Sequence, residues 1–283
     1  MASVLTNSSS MAALQTLRSI DSQMSTTQAR ISSGMKVGSA SDNAAYWSIS
    51  TTMKTESSSL SVVDEALGMA SSLADVANTG TKALIDLMGK VRDRVVAAGE
   101  STNDKEKIQT ELAQLYTQMT NTVDAASFNG QNWLAATDKA GADIGASTKV
   151  LSGVTAGKLT FIDVALESAG GNTGAVVKTV TDLTVADLDA DSLDATLKVV
   201  DDAIKNLTSL GATFGAASSR IGIQKDFISN LTDAIDRGVG SLVDADMNEE
   251  STRLKALQTQ QQLAVQSLSI ANSKTDTILQ LFR

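Results

Sequence analysis

The chain of 283 residues contains no histidine, no cysteine and no proline. Without histidine or cysteine it lacks the side chains of most zinc, copper and haem sites, and it has neither a thiol nucleophile nor an imidazole base. The His-Glu-x-x-His motif of zinc proteases cannot occur. Because catalysis by carboxylates alone is the remaining route, the composition favours a protein that is not an enzyme and has no cofactor or metal.

Basic residues and long apolar runs are also scarce. The 32 acidic residues outnumber 23 basic ones, which gives a formal charge of −9. This balance argues against a nucleic-acid partner, whose binding depends on cationic contacts to phosphate. The first ten residues lack the basic start and apolar core of a secretory signal, and no run approaches the ~18 apolar residues of a membrane span. We expect no membrane insertion, and export by another route if the protein leaves the cell.

Apolar residues recur at alternating three- and four-residue steps along most of the chain, as in a coiled coil. The aromatic content is only 3%, so burial must come mainly from Ala, Leu, Val, Ile and Met in thin layers between helices. One stripe stops near Ser33-Gly34, one runs from about Asn43 to Ala98, and a third ends at Ser127-Phe128-Asn129-Gly130. A fourth begins at Leu193 and is expected to end around Gly238 and Gly240, and a last heptad pattern begins at Leu254.

The region between about Asp138 and Ala190 differs, because glycines interrupt short alternating runs. Ile162, Val164 and Leu166 share one face of a predicted strand, and Val177, Thr179 and Thr181 share one face of a second. The predicted fold is therefore mainly α. Long antiparallel coiled-coil-like rods and paired terminal helices flank a small β-containing insert.

Two terminal stripes would be left partly exposed if only the two terminal helices met in water, and such surfaces usually mark association. Contacts between identical subunits that do not close build a helical filament. We predict a mixed role, part internal pairing and part subunit contact, for the apolar residues of these stripes. The residues are Met11, Leu14, Leu17, Ile20, Met24, Leu254, Leu257, Leu268, Ile278 and Phe282.

Local sequence resembles bacterial flagellin over nearly the whole chain except the insert. The run from Arg30 to Val37, followed by Ala40-Ser41-Asp42-Asn43-Ala44-Ala45, is similar to the family's segment between its first helix and its rod. Further landmarks occur in the family's order, and the end of the chain resembles its carboxy-terminal helix. They are Lys90-Val91-Arg92-Asp93, Ile108-Gln109-Thr110-Glu111-Leu112, Phe128-Asn129-Gly130 and Leu254 to Arg283.

The resemblance implies a structural subunit, secreted through the flagellum's own channel, that polymerises into the extracellular filament and transmits motor torque for swimming. The expected partners are copies of itself, in a helical homopolymer that other flagellins can join, together with a flagellar export chaperone, the filament cap and hook-junction proteins. The implied domains are inner-core segments 1–41 and 241–283, rod segments 42–137 and 192–240, and an outer insert 138–191.

In related flagellins a plant immune receptor reads the region corresponding to Ala29–Ser50, and an animal receptor reads the region that here contains Lys90, Arg92, Asp93, Arg94 and Glu111. This sequence departs from both patterns. Ser41, Asn43 and Tyr46 replace the common Lys, Asp and Gly, Arg94 replaces a Leu, and Lys90 replaces an Arg, whose bidentate geometry is lost. The resemblance therefore predicts weak activation of both receptors.

Other features have plainer interpretations. Asp42 is predicted to cap the long helix. The pairs Asp201-Asp202 and Glu249-Glu250 are interpreted as solvated faces, because adjacent helical residues point in different directions. Asp187, Asp189 and Asp191 are interpreted as an acidic helix start, because no calcium-binding loop follows.

Two alternatives to a filament subunit remain open at this point. A hook-filament junction protein shares the terminal helices but occurs in few copies. A secreted membrane-active helical protein of a related export system would show a long apolar hairpin, which this sequence lacks.

Overall fold

The structure is a computed structural model that describes residues 7–100, 103–135, 147–155, 158–168, 171–183 and 192–281. The helices are α1 (Ser8–Ser33), α2 (Ala44–Ala98), α3 (Lys105–Ala125), α4 (Thr173–Thr181), α5 (Leu193–Val243) and α6 (Met247–Leu281). The strands are β1 (Ser147–Thr155), β2 (Lys158–Ala165), β3 (Glu167–Ser168) and β4 (Gly171–Asn172). The predicted mainly α fold with a small β-containing insert is confirmed. The chain divides into two compact units, one of residues 1–57 with 233–283 and the other of residues 58–232.

The core of the second unit is a seam along α2. Its buried residues follow the three- and four-residue steps expected from the sequence: Leu60, Val63, Leu67, Ala70, Ala74, Ala77, Leu84, Met88, Val91 and Val95. α5 contributes a facing stripe that includes Leu207, Leu210, Phe214 and Ile221. Hydrogen bonds from Arg92 to Asp201 and from Ser218 to Asp75 show that the two helices run antiparallel. A seam of this length supplies the apolar burial that a wide globular core would otherwise provide.

The segment that follows α3 packs closely against α2 at Gly80, a residue without a side chain. Leu134 is fully buried, and a Cβ atom added at Gly80 would lie 2.5 Å from its Cδ1 atom. Trp133 is buried as well, with its ring centroid 6.5 Å from that of Phe214. The predicted Asn-Gly turn precedes this segment, with φ of 51° at Asn129 and 80° at Gly130. The turn directs the chain back onto the core.

The predicted face of the first strand is confirmed, since Ile162, Val164 and Leu166 are all buried. β2 pairs antiparallel with β1, and the register shifts between Leu151 and Gly153. At this bulge the side chain of Gln224 on α5 donates a 2.8 Å hydrogen bond to the carbonyl of Ser152. The hairpin is thus held by the helical part of its unit, as expected for an insert too small to bury a core alone.

The second predicted strand is wrong, because Val177, Thr179 and Thr181 lie in α4. Buried residues of α4 follow a helical spacing: Thr173, Val176, Val177 and Val180. The β-branched residues favoured a strand locally, but burial of this stripe in contact with α3 decided the structure.

The first unit contains a paired set of helices, α1 and α6. Asn7 caps α1 by accepting from the amide of Ser10, and Gly34 ends it in the left-handed conformation at φ 72°. Beyond this cap, the amides of Lys36 and Ala245 bond to the carbonyls of Val243 and Gly34 at 2.7 and 2.8 Å. Val37, Val239 and Val243 form a buried cluster beside this bridge. The connection between α1 and α2 is therefore fixed to the α5–α6 junction.

Two expectations for this unit need correction. Asn43, not Asp42, caps α2, because the Oδ1 atom of Asn43 accepts from the amides of Ala45 and Tyr46. Asp42 instead accepts from the hydroxyl and amide of Ser39 and the amide of Gly38, and these bonds lower the pKa of its carboxyl group.

The end of α5 also differs from the expectation. α5 continues through Gly238 and Gly240 to Val243. These glycines make room for close neighbours and do not end the helix, since added Cβ atoms would lie 3.1 Å from Met53 and 2.8 Å from Asp244.

Two glycines of α2 make a matched pair of test positions. Gly80→Ala should destabilise the protein by about 1–3 kcal/mol, because buried Leu134 cannot move away. Gly89 has no such neighbour within 4 Å, so Gly89→Ala should stabilise by about 0.4–1 kcal/mol. Urea unfolding followed by circular dichroism measures both changes, and equal shifts of the same sign would contradict the close packing at Gly80.

Candidate assembly surface

The surface predicted to carry assembly is the pair formed by α1 and α6. Four cross-helix hydrogen bonds place the helices antiparallel in a single register. They join Asn7 to the carbonyl of Ala271 (3.0 Å), Ser10 to Asn272 (2.5 Å), Gln261 to Asp21 (2.7 Å) and Arg30 to Glu250 (3.1 Å). Three of these bonds join two side chains, near both ends and in the middle, so a slip of either helix by one turn would break all three.

The apolar stripes of the two helices are only partly covered by each other. Of the predicted residues, Ile20 and Leu257 are buried, whereas Leu17, Met24, Leu254 and Leu268 are half-buried. Met11 and Leu14 are exposed at 65% and 40%. The side chain of Ile278 and all of Phe282 lie outside the described residues. The pairing therefore brings the stripes together without burying them.

Further apolar side chains on α6 face solvent, and the pair contains an open groove. Leu263, Val265 and Ile270 are all more than half exposed. The groove has a volume of about 510 Å³. It is lined mainly by small and uncharged side chains: Ala13, Thr16, Ser19, Ile20, Gln23, Gln260, Leu263, Ala264 and Ser267. An isolated helix pair with this surface has apolar area left for a partner.

Glu250 differs from its sequence interpretation as part of a solvated face. Its side chain is only 7% exposed, and it lies 3.1 Å from Arg30 and 3.7 Å from Arg253. Its neighbour Glu249 is 67% exposed, so adjacent residues do point apart as expected. The sequence alone gave no signal for the burial, because the partner Arg30 lies 220 residues away.

The Asp201-Asp202 pair is ion-paired on the surface. Asp201 bonds Arg92 at 2.7 Å, and Asp202 bonds Lys198 and Lys205 at 2.7 and 3.2 Å. The two lysines lower the pKa of the Asp202 carboxyl group. Because both carboxylates are held in surface ion pairs, neither is a candidate catalytic acid or base. Asp187, Asp189 and Asp191 lie outside the described residues.

The residues compared with the animal-receptor region occupy the surface of α2 and α3. Lys90 and Asp93 are exposed, whereas Arg92 is held by Asp201. Arg94 pairs with Glu111 at 2.9 Å, which links the two helices on their exposed sides. Within the described part of the chain, no cluster of acidic side chains is arranged to hold a metal ion, and no helix there is long and apolar enough to cross a membrane.

Comparisons with known proteins agree with this architecture. Residues 4–139 match the family model for the bacterial flagellin N-terminal helical region, and residues 197–282 match that for the C-terminal helical region. Flagellin C of Rhizobium meliloti (strain 1021) is 43% identical, with 100% of both chains covered. The chain belongs to the bacterial flagellin family.

A second relative extends this result to another genus. A flagellin of Brucella melitensis biotype 1 is 40% identical, again with 100% of both chains covered. A solved structure of a putative flagellar hook-associated protein from Vibrio parahaemolyticus is similar with a TM-score of 0.57 at 15% identity. That likeness covers 72% of this chain and 100% of the other, and it shows the fold alone.

This flagellin is a structural subunit that assembles with copies of itself into a filament, and its family is one of extracellular flagellar filament proteins. The junction-protein alternative is not favoured. The cross-helix contacts of α1 and α6 were missed by the sequence reasoning, which considered apolar stripes and not polar pairs between distant segments.

The burial of Glu250 gives a prediction about the pairing of α1 and α6. Glu250→Gln removes the charge facing Arg30 while nearly keeping the side-chain volume, and should destabilise the pair by about 1–3 kcal/mol because Arg30 loses a charged partner. Hydrogen–deuterium exchange of the two helices in the full chain should become faster. Glu249→Gln is the control and should leave exchange in α1 unchanged. Equal effects of the two substitutions would contradict the role of Glu250.

Proposed function

We propose that α1 and α6 are the polymerisation elements of this flagellin and that their exposed apolar side chains become buried between subunits. The observation that carries the proposal is the incomplete burial of both stripes after the two helices have paired. Met11, Leu14, Leu263, Val265 and Ile270 each keep 40–65% of their side chain exposed, on more than one side of the helix pair. Full burial of an exposed side chain of this kind is worth about 1.5–3 kcal/mol, and these side chains still have roughly half of that to gain in contacts between subunits.

Charge supports the same assignment. Residues 1–57 and 233–283 contain nine basic and ten acidic residues, whereas residues 58–232 contain fourteen basic and twenty-two acidic ones. A nearly neutral unit can pack closely against copies of itself, since like-charge repulsion between neighbours is small.

The finer parts of the proposal follow from family membership. Segments 1–41 and 241–283 form the inner core, segments 42–137 and 192–240 form the rod layer, and 138–191 is the outer insert. The filament transmits motor torque for swimming, and assembly involves an export chaperone, the filament cap and hook-junction proteins. The protein acts as a structural element and not as an enzyme, which agrees with its lack of histidine and cysteine.

Truncation tests the assignment of the polymerisation elements. A variant that lacks residues 1–33 and 244–283 should form no filaments after seeding, because it has lost both stripes. The intact chain should form long filaments under the same conditions, as seen by electron microscopy of negatively stained samples.

Retention of a folded rod in the truncated variant, shown by cooperative loss of helical circular dichroism on heating, is the control. Filaments of normal length from that variant would contradict the proposal, and failure of the intact, seeded chain would contradict the filament function itself.

We also propose that this flagellin activates the plant and animal receptors weakly. Lys90 and Arg94 depart from the family's animal-receptor pattern, and Arg92 and Arg94 are engaged by Asp201 and Glu111. Both ion pairs are exposed, so they add little to stability, and their effect is to occupy the guanidinium groups.

The double substitution Lys90→Arg with Arg94→Leu should raise the potency toward the animal receptor at least tenfold. Dose–response curves in reporter cells measure this, with Lys225→Arg, an exposed lysine on α5, as the unchanged control. A full-strength response from the unsubstituted protein at ordinary doses would reject the proposal.

A further inference from the structure

The turn that follows α3 contains a chemically labile pair of residues. Asn129-Gly130 is the only Asn-Gly sequence in the chain. Asparagine is a thermolabile residue, because the backbone nitrogen of the next residue can attack the Cγ atom of its side chain. Glycine hinders this attack least, since it has no Cβ atom. Both residues are exposed, so water reaches the product, and the turn is a candidate site of spontaneous deamidation.

The reaction has two steps and needs no reagent except water. In the first step the Gly130 nitrogen forms a bond to Cγ of Asn129, the bond from Cγ to Nδ2 breaks, and the Gly130 amide proton leaves with Nδ2 as ammonia. The product is a five-membered succinimide ring. In the second step water opens the ring. Cleavage between the nitrogen and Cγ gives aspartate, whereas cleavage between the nitrogen and the main-chain carbonyl carbon gives isoaspartate.

The folded turn holds the reacting atoms apart. φ is 51° at Asn129 and 80° at Gly130, and Phe128 and Gln131 exchange two backbone hydrogen bonds of 2.8 and 3.0 Å. These values are those of a type I′ hairpin turn, in which ψ of the first central residue is about 30°. At this ψ the Gly130 nitrogen is nearly eclipsed with the backbone nitrogen of Asn129, whereas ring closure requires it to be eclipsed with Cβ. The ring therefore cannot close until the turn opens.

Contacts on both sides of the turn keep it closed. The side-chain amide of Asn129 donates a 3.7 Å hydrogen bond to the sulfur of Met69 on α2. Asn132 donates to the carbonyl of Val123 at 2.6 Å and accepts from the amide of Leu134 at 2.9 Å. Leu134 is fully buried in the core of the unit. Opening of the turn is thus coupled to loss of core packing, and its frequency follows the local stability of this unit.

The two products differ in their effect on the turn. Aspartate keeps the backbone, and Asp-Gly is also a preferred sequence of type I′ turns. Isoaspartate adds one carbon atom to the backbone path and converts the former main-chain carbonyl into a carboxylate. The longer path does not fit a two-residue turn, so Phe128 and Gln131 can no longer pair. The chain is then no longer directed to place Leu134 against α2.

We propose that Asn129-Gly130 is a deamidation site that is closed in the folded subunit and reacts in the unfolded chain, and that the isoaspartate product is excluded from the filament. The site limits the time during which an unfolded chain remains able to fold. The deamidation is independent of the filament function, whereas the exclusion of its product rests on that function.

Incubation of the full-length chain at mildly alkaline pH, with and without urea, tests whether folding closes the site. Peptide mass spectrometry locates the products, and heavy-oxygen water labels the new carboxylate. Asn129 should convert at least tenfold faster in urea than in buffer. Asn121, which is exposed and precedes Thr122, is the control within the same chain. Equal rates with and without urea would overturn the closed turn, and a rate in urea no greater than that of Asn121 would overturn the site.

Two leucine substitutions test the coupling to the core without urea. Leu134→Ala leaves a cavity beside the turn and should raise the conversion of Asn129 in buffer at least tenfold. Leu257→Ala is the matched control, because Leu257 is also buried but belongs to the other compact unit, and it should leave the conversion unchanged. Equal effects of the two substitutions would contradict closure of the site by the core around Leu134.

Polymerisation tests the fate of the products. Chains converted in urea are refolded, polymerised from seeds and separated into filaments and supernatant. Isoaspartate at position 129 should be at least tenfold enriched in the supernatant, whereas Asn129→Asp should polymerise like the unsubstituted chain. Equal isoaspartate in both fractions would overturn the exclusion and leave the filament function standing. Failure of the unsubstituted chain to polymerise would reject the filament function and the exclusion with it, and the rates in urea and buffer would still decide the deamidation site.

Discussion

Burial along the α2 seam is the interaction on which the unit of residues 58–232 depends. Leu67, Leu84 and Met88 are fully buried there, and α3, α5 and the segment around Leu134 all use this helix as their packing surface. An isolated helix of this length would not be held together by propensity alone, because most helical stability in proteins comes from packing of an apolar face. The close approach at Gly80 shows how tightly the neighbouring segments follow the helix. The seam therefore determines both the fold of the unit and its outer surface.

A rod built in this way cannot hide all its apolar residues. A globular core surrounds its side chains, whereas a seam between two or three helices covers only part of each helix's circumference. Met69, Ile223 and Phe227 lie outside the buried seams and at regular helical spacing. In a monomeric protein such side chains would be a liability, whereas a polymer supplies neighbouring subunits that can cover them. The same property that makes the rod thin makes it able to assemble.

The sequence was sufficient for the five long helices and for β2, because apolar periodicity reports burial directly. It was insufficient where a distant segment decided the outcome. Val177 and Thr179 favour a strand locally, yet contact with α3 produced a helix. Asp42 and Asn43 are equally suitable as residue types for a helix cap. The amides of Gly38 and Ser39 donate to Asp42, which leaves Asn43 to cap α2. Glu250 was interpreted as solvated because its partner, Arg30, lies 220 residues away in the sequence.

For the candidate assembly surface, too, the sequence predicts one part and not the other. The apolar stripes of α1 and α6 follow from the sequence, but their register does not, because a stripe of similar residues packs nearly as well after a slip of one heptad. Asn7, Ser10, Asp21 and Arg30 remove this ambiguity through polar partners on α6. Each such bond contributes only about 0.5–1.5 kcal/mol to stability, yet a slipped pair would lose the three side-chain pairs together. Polar pairs thus specify the register, and the apolar residues that remain exposed are held at fixed positions on the helix pair.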